Sequence, residues 1–341
     1  MNPRELVYKT LNFERPERIP RQLWELPWAE YNYPGELEKI RLDFPNDIVW
    51  IPMFSKTLPK TVGEKYEIGE YVDEWGCKFI NKQRGIHGET KEVLIKKEEW
   101  EDKDNLRLPA EYLDLDKDKI KDFCRSTDKF IIYSCINPFE RLQYIRGTEQ
   151  LYVDLMLKPE GMFDVIKKIH DFNCKVFEAW AKTDIDALQI NDDWGSQKAL
   201  LINPVIWAEI FKPMYIDYVD IAHSHKKKLF MHSDGNILAI IPQLIDIGVD
   251  ALNSQVFCMG VENLRQFRGK ITFWGEIDRQ NILPHGTQKE IEDAVISLKE
   301  NLWDSGGCIA QCEFGPGAKP ENIYKVFETW NKIGGFNHAL L

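Results

Sequence analysis

The sequence predicts an α/β protein that folds as a (β/α)8 TIM barrel, with an N-terminal extension and an inserted hairpin that forms a lid at the C-terminal face. Short apolar, β-branched runs recur along the 341 residues, and stretches with helical apolar spacing separate them. No linker rich in Gly, Ser or Pro interrupts this alternation, which is typical of parallel βαβ units. We therefore expect one domain over residues 1–341, with an irregular, lid-bearing N-terminal region over 1–125 and regular βα units over 126–336.

Eight short runs are the predicted barrel strands. IPRQLWE (19–25) gives the first strand and residues 47–52 give the second. YVDEWGCKFINKQ (71–83) predicts two strands of a hairpin inserted before the third barrel strand. An insertion of this length near the barrel mouth is expected to form the lid. The remaining strands are IIYSC (131–135), IDALQIN (185–191), KLFMH (228–232), VDALNS (249–254), KITFWGE (270–276) and CIAQC (308–312).

Three segments between these strands carry apolar residues at helical spacing. They are VIWAEIFKPMYIDYVDIAHSHKK (205–227), ILAIIPQLIDIG (237–248) and IEDAVISLKENLWDSGG (291–307). The last two end in glycine, as a helix with a glycine C-cap does. Helices are therefore expected in all three.

The composition excludes several classes of function. The net charge is −11, so a nucleic-acid partner is not expected. No stretch approaches the roughly 20 apolar residues that cross a bilayer, and the N-terminus lacks the features of a secretory signal. We expect a soluble, cytoplasmic protein. Its seven cysteines are odd in number and irregularly spaced, which indicates reduced thiols that remain open to metal or catalytic roles.

Polar side chains follow several predicted strands at the end where a TIM barrel builds its active site. These groups are Asn191-Asp192-Asp193, His232-Ser233-Asp234, Asn253-Ser254-Gln255, Glu276-Ile277-Asp278 and Cys312-Glu313. The strand ends of a closed barrel lie around one mouth. The pattern therefore predicts an active site there.

His232 and Asp234 are candidate metal ligands, because residues two apart on a strand project to the same side. Cys312, at the end of the last strand, would meet them across the mouth and leave a fourth position open for substrate. The alternatives are structural. His232 would then bond within the barrel, Asp234 would cap a following helix, and Cys312 would be a buried thiol.

Three carboxylates near these positions are candidate catalytic groups. Neighbouring strand residues point to opposite faces, so only one of Asp192 and Asp193 enters the mouth. Either is a candidate acid or base if burial raises its pKa, and capping a helix is the alternative. Glu276 is a candidate proton carrier or partner of His232, and Asp278 is expected to face the same cavity.

Substrate binding is expected from polar groups at the strand ends and from rings of the N-terminal region. Asn191 and Gln255 offer hydrogen bonds to substrate oxygens, and Asp278 joins them. Trp24 and Trp28 are expected to wall a small-molecule pocket, with ordinary core and lid packing as the alternative.

Seven segments carry a family resemblance. In chain order they are NPRELVYKTLNFERPERIP, YVDEWGCKF, NPFERLQYIRG, NDDWGSQ, HSDGN, FWGEID and GPGAKPENI. The ordered set resembles the uroporphyrinogen decarboxylase superfamily, and within it the methyltransferases of corrinoid-dependent methyl-transfer systems. The authentic decarboxylase carries an arginine-rich segment of the form PxWxMRQAGR, whereas IPRQLWELPWAEYNYP offers only Arg21 there. Decarboxylation of a tetrapyrrole with many carboxylates is therefore disfavoured.

The resemblance also implies a zinc site. Zinc methyltransferases of this superfamily use a His-x-Cys pair and a distant Cys, which fall on His232, Asp234 and Cys312. Asp234 departs from the pattern, because it stands where the first Cys is expected. An oxygen ligand makes the metal a harder Lewis acid, which suits an ether or alcohol oxygen better than a thiol.

These points predict a zinc-dependent methyltransferase. It would move a methyl group from a methoxylated small molecule, such as a phenyl methyl ether, to the cobalt of a separate corrinoid protein. No corrinoid-binding module is visible in the sequence, so the corrinoid is expected on a partner that docks at the barrel mouth. A metal-free decarboxylase and a non-catalytic binding protein of a corrinoid system remain the alternatives.

Overall fold

Eight parallel strands form a nearly closed barrel in the computed structural model, which describes residues 1–335. The barrel strands are β1 (Arg21–Glu25), β2 (Ile48–Trp50), β6 (Phe130–Ile136), β7 (Ala187–Asn191), β8 (Lys228–Ser233), β9 (Ala251–Ser254), β10 (Thr272–Trp274) and β11 (Cys308–Phe314), with β3 to β5 inserted after β2. Their spatial order is β1-β11-β10-β9-β8-β7-β6-β2. The predicted fold class is confirmed, and each predicted barrel run contains a strand. The end of the expected domain, residues 336–341, lies outside the described residues.

The inserted lid is a separate antiparallel sheet of β3 (Gly69–Val72), β4 (Lys78–Asn81) and β5 (Glu89–Glu92). The predicted hairpin supplies β3 and β4. The third strand is not predicted by the sequence, because ETKE has no apolar alternation. Arg141 ties this sheet to the barrel through a buried ion pair with Asp73.

Helices surround the barrel between successive strands. They are α1 (Pro3–Leu11), α2 (Pro27–Asn32), α3 (Pro34–Asp43), α4 (Lys117–Arg125), α5 (Pro138–Arg146), α6 (Thr148–Leu157), α7 (Glu160–Ala181), α8 (Pro204–Ile206), α9 (Lys212–Ser224), α10 (Ile241–Ile247), α11 (Val256–Met259), α12 (Val261–Leu264), α13 (Ile282–His285), α14 (Gln288–Leu302) and α15 (Pro320–Gly334). A π-helical segment, Trp207–Phe211, joins α8 to α9. Within residues 1–335, no helix is both long and apolar enough to cross a membrane.

One of the two predicted glycine C-caps is confirmed, and the other is wrong. Helix α10 ends as expected, with Gly248 in the left-handed region at φ 96°. Helix α14 ends instead at Leu302 with Trp303 as its C-cap, so Gly306 and Gly307 lie beyond the helix. Trp303 adopts an extended conformation, which ends the helix without a glycine.

Both faces of the barrel strands are buried, and two apolar layers result. The inner layer fills the barrel with Ile48, Phe130, Ile132, Ala187, Phe230, Ala251, Trp274 and Ile309, and Val7 and Leu11 of α1 extend it. The outer layer packs the alternate strand residues against the helices. Side chains that continue the inner row beyond this layer meet at the C-terminal mouth, where the polar site lies.

Candidate active site

His232 stands at the centre of the mouth, on the inward face of β8. Its Nδ1 lies 2.6 Å from Oδ1 of Asn253, and the Asn253 amide donates to the carbonyl oxygen of Trp274. Because Asn253 uses its amide elsewhere, its oxygen accepts from His232, and Nδ1 carries the proton. In the neutral ring, Nε2 keeps its lone pair, which faces the mouth. The ring is also held by Trp24, whose centroid lies 5.1 Å away.

Two carboxylates face this nitrogen. Nε2 of His232 lies 3.5 Å from Oδ1 of Asp193 and 3.6 Å from Oδ1 of Asp234. One potential ligand atom from each of the three residues lies within 4.8 Å of the other two. Oδ1 of Asp234 is buried and has no hydrogen-bond partner among residues 1–335. A buried oxygen without a donor and a nitrogen with a free lone pair fit a bound cation.

Arg279 lies beside this group and contacts three acids. It forms an ion pair with Asp234, its Nε lies 3.3 Å from Oε1 of Glu276, and its Nη1 donates to Oε2 of Glu313 at 3.1 Å. The guanidinium therefore offsets part of the negative charge at the mouth. It is too fully paired to serve as an open anion site.

Burial raises the pKa of two nearby carboxyl groups, those of Glu276 and Glu140. Glu276 is 3% exposed, and burial raises its pKa to about 8 against the opposing charge of Arg279. Burial and the charge of Asp193 raise the pKa of Glu140 to about 7. Burial opposes charging of His232, but the carboxylates of Asp193 and Asp234 outweigh it and raise that pKa. Glu276 and Glu140 can therefore each hold a proton near neutral pH.

The expected ligand set is corrected at Cys312. Strand β11 alternates, with Ile309 in the inner layer and Cys308 and Cys312 in the outer one. The Cys312 thiol is fully buried in that outer apolar layer, and burial raises its pKa well above the ordinary value. Glu313, the next residue, is the one that reaches the mouth. Among the described residues, the group at the mouth that could hold a metal ion consists of Asp193, His232 and Asp234.

The two neighbouring aspartates have different roles. Asp192 is fully buried, and its Oδ1 accepts from the backbone N–H groups of Phe139 and Glu140 in the first turn of α5. Its Oδ2 accepts from the hydroxyl of Tyr215 at 2.7 Å. Of the two alternatives for Asp192, a catalytic group or a helix cap, its contacts are those of a cap, because its carboxylate holds the start of α5. Asp193 is the one that enters the mouth.

The hydrogen-bond partner of His232 lies on the adjacent strand. The sequence leaves two uses open for Glu276, a proton carrier or a partner of His232; the partner that accepts the hydrogen bond of His232 is Asn253, and Glu276 faces Arg279. Asn253 lies directly opposite His232 in the register of β8 and β9. This pairing depends on the alignment of the two strands, which neither strand specifies alone.

Gln255 and Asp278 lie on one side of the mouth. A cavity of about 180 Å³ between them is also lined by Cys258, Glu276 and Arg279. Oε1 of Gln255 accepts from the backbone N–H of Gly235, which fixes it against the segment that carries Asp234. Asp278 accepts from the backbone of its own turn, through the N–H groups of residues 280 and 281. Their role in substrate binding remains a prediction.

A larger cavity of about 380 Å³ lies between the lid and the ends of β2, β6 and β7. Asn191 and Glu140 line it from the barrel, and Tyr71, Phe79 and Tyr112 are among the rings that line it from the lid side. Asn191 donates to Oγ of Ser134 at 2.6 Å. Small-molecule sites of this size commonly combine aromatic walls with a few polar groups.

The two predicted tryptophans lie in different places. Trp24 belongs to β1, so it is a barrel residue and not a lid residue, and its ring contacts those of Trp50, Trp274 and His232. Trp28 belongs to α2, and its backbone N–H donates to the carbonyl of Gly85 in the lid. The Trp24 ring therefore lies at the base of the mouth, whereas the backbone of Trp28 is hydrogen-bonded to the lid.

Sequence reasoning did not single out Glu140 and Arg279. It placed Asn253 and Glu313 at strand ends of the predicted active site but assigned neither a role. The period of two along β11 is a usable signal for Glu313, because Ile309 and Glu313 share a face. Glu140 gives no comparable signal, since it lies in the first turn of a helix. Its approach to the mouth depends on how α5 packs.

The fold and the site together define a TIM-barrel protein with a histidine–carboxylate centre at its C-terminal mouth. The family model of uroporphyrinogen decarboxylase (URO-D) matches residues 89–333. This match spans well over half of the chain, so the chain belongs to the uroporphyrinogen decarboxylase family. The superfamily resemblance of the sequence motifs is confirmed. No curated protein is detectably similar in sequence.

Solved structures with the same architecture include a methyltransferase from Methanosarcina mazei. It superimposes with a TM-score of 0.69 at 13% identity, over 97% of this chain and 99% of that chain. A B12-independent methionine synthase from Shewanella sp. W3-18-1 gives a TM-score of 0.47 at 12% identity, over 93% of each chain. At these identities, the first similarity shows a shared fold, and the TM-score of the second is too low to support a conclusion.

Proposed function

We propose that this protein is a methyltransferase that moves a methyl group from a methoxylated small molecule to the cobalt of a separate corrinoid protein. The observation that carries the proposal is the group of Asp193, His232 and Asp234 at the mouth, where the unpartnered Oδ1 of Asp234 lies beside Nε2 of His232. The full-length similarity in fold to a protein named as a methyltransferase supports it.

Zinc is the proposed metal, with Asp193, His232 and Asp234 as its ligands. One nitrogen and two oxygen donors suit zinc and leave a fourth position for substrate. When bound, the metal supplies Lewis acidity toward an ether oxygen. Cys312 is not retained as a ligand, because its thiol lies in the outer layer.

The residues of this chain orient the proposed metal ligands and supply a proton to the departing oxygen. Asn253 fixes the His232 ring, and Arg279 holds Asp234 in place through its ion pair. The bond between the methyl carbon and the ether oxygen breaks as the methyl group passes to cobalt, and the oxygen keeps the electron pair. Glu276, with its pKa raised to about 8, holds the proton that this oxygen needs.

The cavity under the lid is the proposed site for the body of the substrate. Its volume of about 380 Å³ and its tyrosine and phenylalanine walls suit a compact methoxylated aromatic compound. Asn191 and Glu140 provide polar contacts on the barrel side of this cavity. The cobalt of the partner must reach the methyl group from the mouth, so the corrinoid protein is expected to dock over the strand ends.

The test combines metal analysis with single-turnover methyl transfer. Purified protein expressed with added zinc is assayed for bound metal, and then mixed with methoxyaromatic donors and a cob(I)alamin-bearing protein. We expect about one zinc at the mouth and formation of methylcobalamin, both lost in His232→Ala. Asp246→Asn changes an exposed carboxylate on α10 and serves as the matched control.

Three results would count against the proposal. Less than about a tenth of an equivalent of zinc at the mouth excludes the metal-dependent reaction. Zinc-loaded protein without methyl transfer over a wide donor panel favours a binding protein. Decarboxylation by metal-free protein would favour the remaining alternative, although Arg279 is already paired with Asp234, Glu276 and Glu313 and so is not open to a substrate carboxylate.

A further inference from the structure

A second group of metal-binding residues lies on the outer ring of helices. It consists of His170 and Cys174 on α7 and Asp217 on α9. His170 and Cys174 are four residues apart, so they project from the same face of α7, the face that packs on α9. None of these residues belongs to the barrel mouth.

We propose that His170, Cys174 and Asp217 form a zinc site that links α7 to α9. Sγ of Cys174 lies 3.7 Å from each nitrogen of the His170 ring, and Nε2 of His170 lies 2.8 Å from Oδ2 of Asp217. Tetrahedral zinc, with bonds of about 2.0 to 2.3 Å, separates its ligand atoms by roughly 3.3 to 3.6 Å. To share a metal on Nε2, Sγ of Cys174 must shift toward that nitrogen, since it now lies equally far from both, and the carboxylate of Asp217 must move away from it. The Asp217 side chain is 58% exposed and able to move.

The surroundings orient the histidine as a ligand. Without a metal, Nε2 of His170 donates to Oδ2 of Asp217 at 2.8 Å. A metal on Nε2 would displace that proton, and the hydroxyl of buried Tyr218, 3.1 Å from Nδ1, would then accept a hydrogen bond from Nδ1. The hydroxyl of Tyr218 is itself held by the amide of Asn173, at 3.5 Å. A hydrogen-bond partner on the far side of the ring fixes both the tautomer and the direction of the ring.

The donors and the local charge select the metal. One sulfur, one nitrogen and one oxygen suit zinc and other borderline metals, whereas calcium and magnesium require oxygen ligands. Asp171 and Asp217 both bring negative charge to Cys174, which favours a cation. Because α7 follows β6 and α9 follows β7, the metal would clamp two successive βα units from outside.

The test uses cobalt(II) in place of zinc on the full chain. A thiolate bound to cobalt gives an intense near-ultraviolet charge-transfer band, and among the mouth ligands proposed above none is a thiol. We expect this band in the unmodified protein and in His232→Ala, with one cobalt per chain in the latter. Cys174→Ser should abolish the band, and Asp217→Asn should weaken cobalt binding at least 10-fold. Cys258→Ser removes another half-buried thiol and should leave the band intact.

A second measurement guards against misfolding. Zinc is expected to raise the melting temperature of His232→Ala but not that of the double variant His232→Ala, Cys174→Ser, while circular dichroism confirms that both are folded. Absence of the band in His232→Ala, or its persistence in Cys174→Ser, overturns the site. If the band is lost in Cys312→Ser but kept in Cys174→Ser, the thiolate that binds cobalt is Cys312 on β11. That result would also overturn the proposed site.

Discussion

Nδ1 of His232 lies 2.6 Å from Oδ1 of Asn253, its direct neighbour on the adjacent strand. This contact gives His232 one tautomer and points Nε2 at Asp193 and Asp234. Asn253 thereby orients His232 within the proposed ligand set.

Replacing Asn253 should weaken metal binding without removing a ligand. We expect Asn253→Ala to lower zinc affinity by about 10- to 100-fold, the range typical when a ligand loses the hydrogen bond that orients it. Asn253→Asp keeps an acceptor for Nδ1 and should retain most of the affinity. Competition with a chromophoric chelator measures both constants. Equal affinities in Asn253→Ala and the unmodified protein would show that the contact does not orient the ligand.

Removing a ligand should have a larger effect. Asp234→Asn takes away the charge of the unpartnered oxygen and removes one of the three acidic partners of Arg279, so zinc affinity should fall by more than about 100-fold. The same titration with Asp246→Asn, an exposed change on α10, should give the unmodified value. If Cys312→Ser lowers zinc affinity at the mouth and Asp234→Asn does not, the ligand set proposed here is wrong.

The stability of the metal-free protein should depend on pH through Glu276. Burial raises its pKa from 4.5 to about 8, so between these values the folded state binds more protons than the unfolded state. Its stabilising contribution is complete below about pH 4.5 and is lost as the pH rises through about 8. The total is on the order of a few kcal/mol at most, since one pKa unit corresponds to about 1.4 kcal/mol.

Urea unfolding at several pH values between about 5 and 9 measures this dependence. Glu276→Gln removes the titrating group and should flatten the decline in the free energy of unfolding between about pH 5 and pH 8. Glu300→Gln, an exposed change on α14, should keep the decline. An unaltered decline in Glu276→Gln would assign the pH dependence to other groups.

The ion pair between Arg141 and Asp73 should stabilise the attachment of the lid. Both side chains are less than 10% exposed, and Oδ1 of Asp73 also accepts from the backbone N–H groups of Trp75 and Cys77. Arg141→Met leaves a buried carboxylate without its cation, which costs about 3 to 5 kcal/mol.

The matched comparison is Lys82→Met, which breaks an exposed ion pair with Glu89 next to the same sheet. Because exposed pairs contribute at most about 1 kcal/mol, this change should be nearly neutral. Urea unfolding measures both variants, and limited proteolysis of the segment 60–95 reports lid detachment. Similar free energies of unfolding for the two variants would show that the buried Arg141–Asp73 ion pair contributes no more stability than an exposed one.

The fold was predictable because its signals are local. Runs such as KLFMH and CIAQC mark strands by their own composition, and the alternation of eight such runs with helices leads to a barrel. Strand β5 was missed because Glu89–Glu92 is polar and gains its pairing only from β4. The end of α14 was misplaced because Trp303 turns the chain before the glycines do.

The sequence by itself determined the strands, their order along the chain and the polar residues at their ends. It did not determine which face of β11 points inward, because both faces of the strand are buried and burial alone does not separate the face of Cys312 from the face of Gln311 and Glu313. The tertiary structure decided that Cys312 faces the helices and that Asp193 joins His232 and Asp234. It did so through the register between strands, which depends on closure of the whole barrel and not on any one segment.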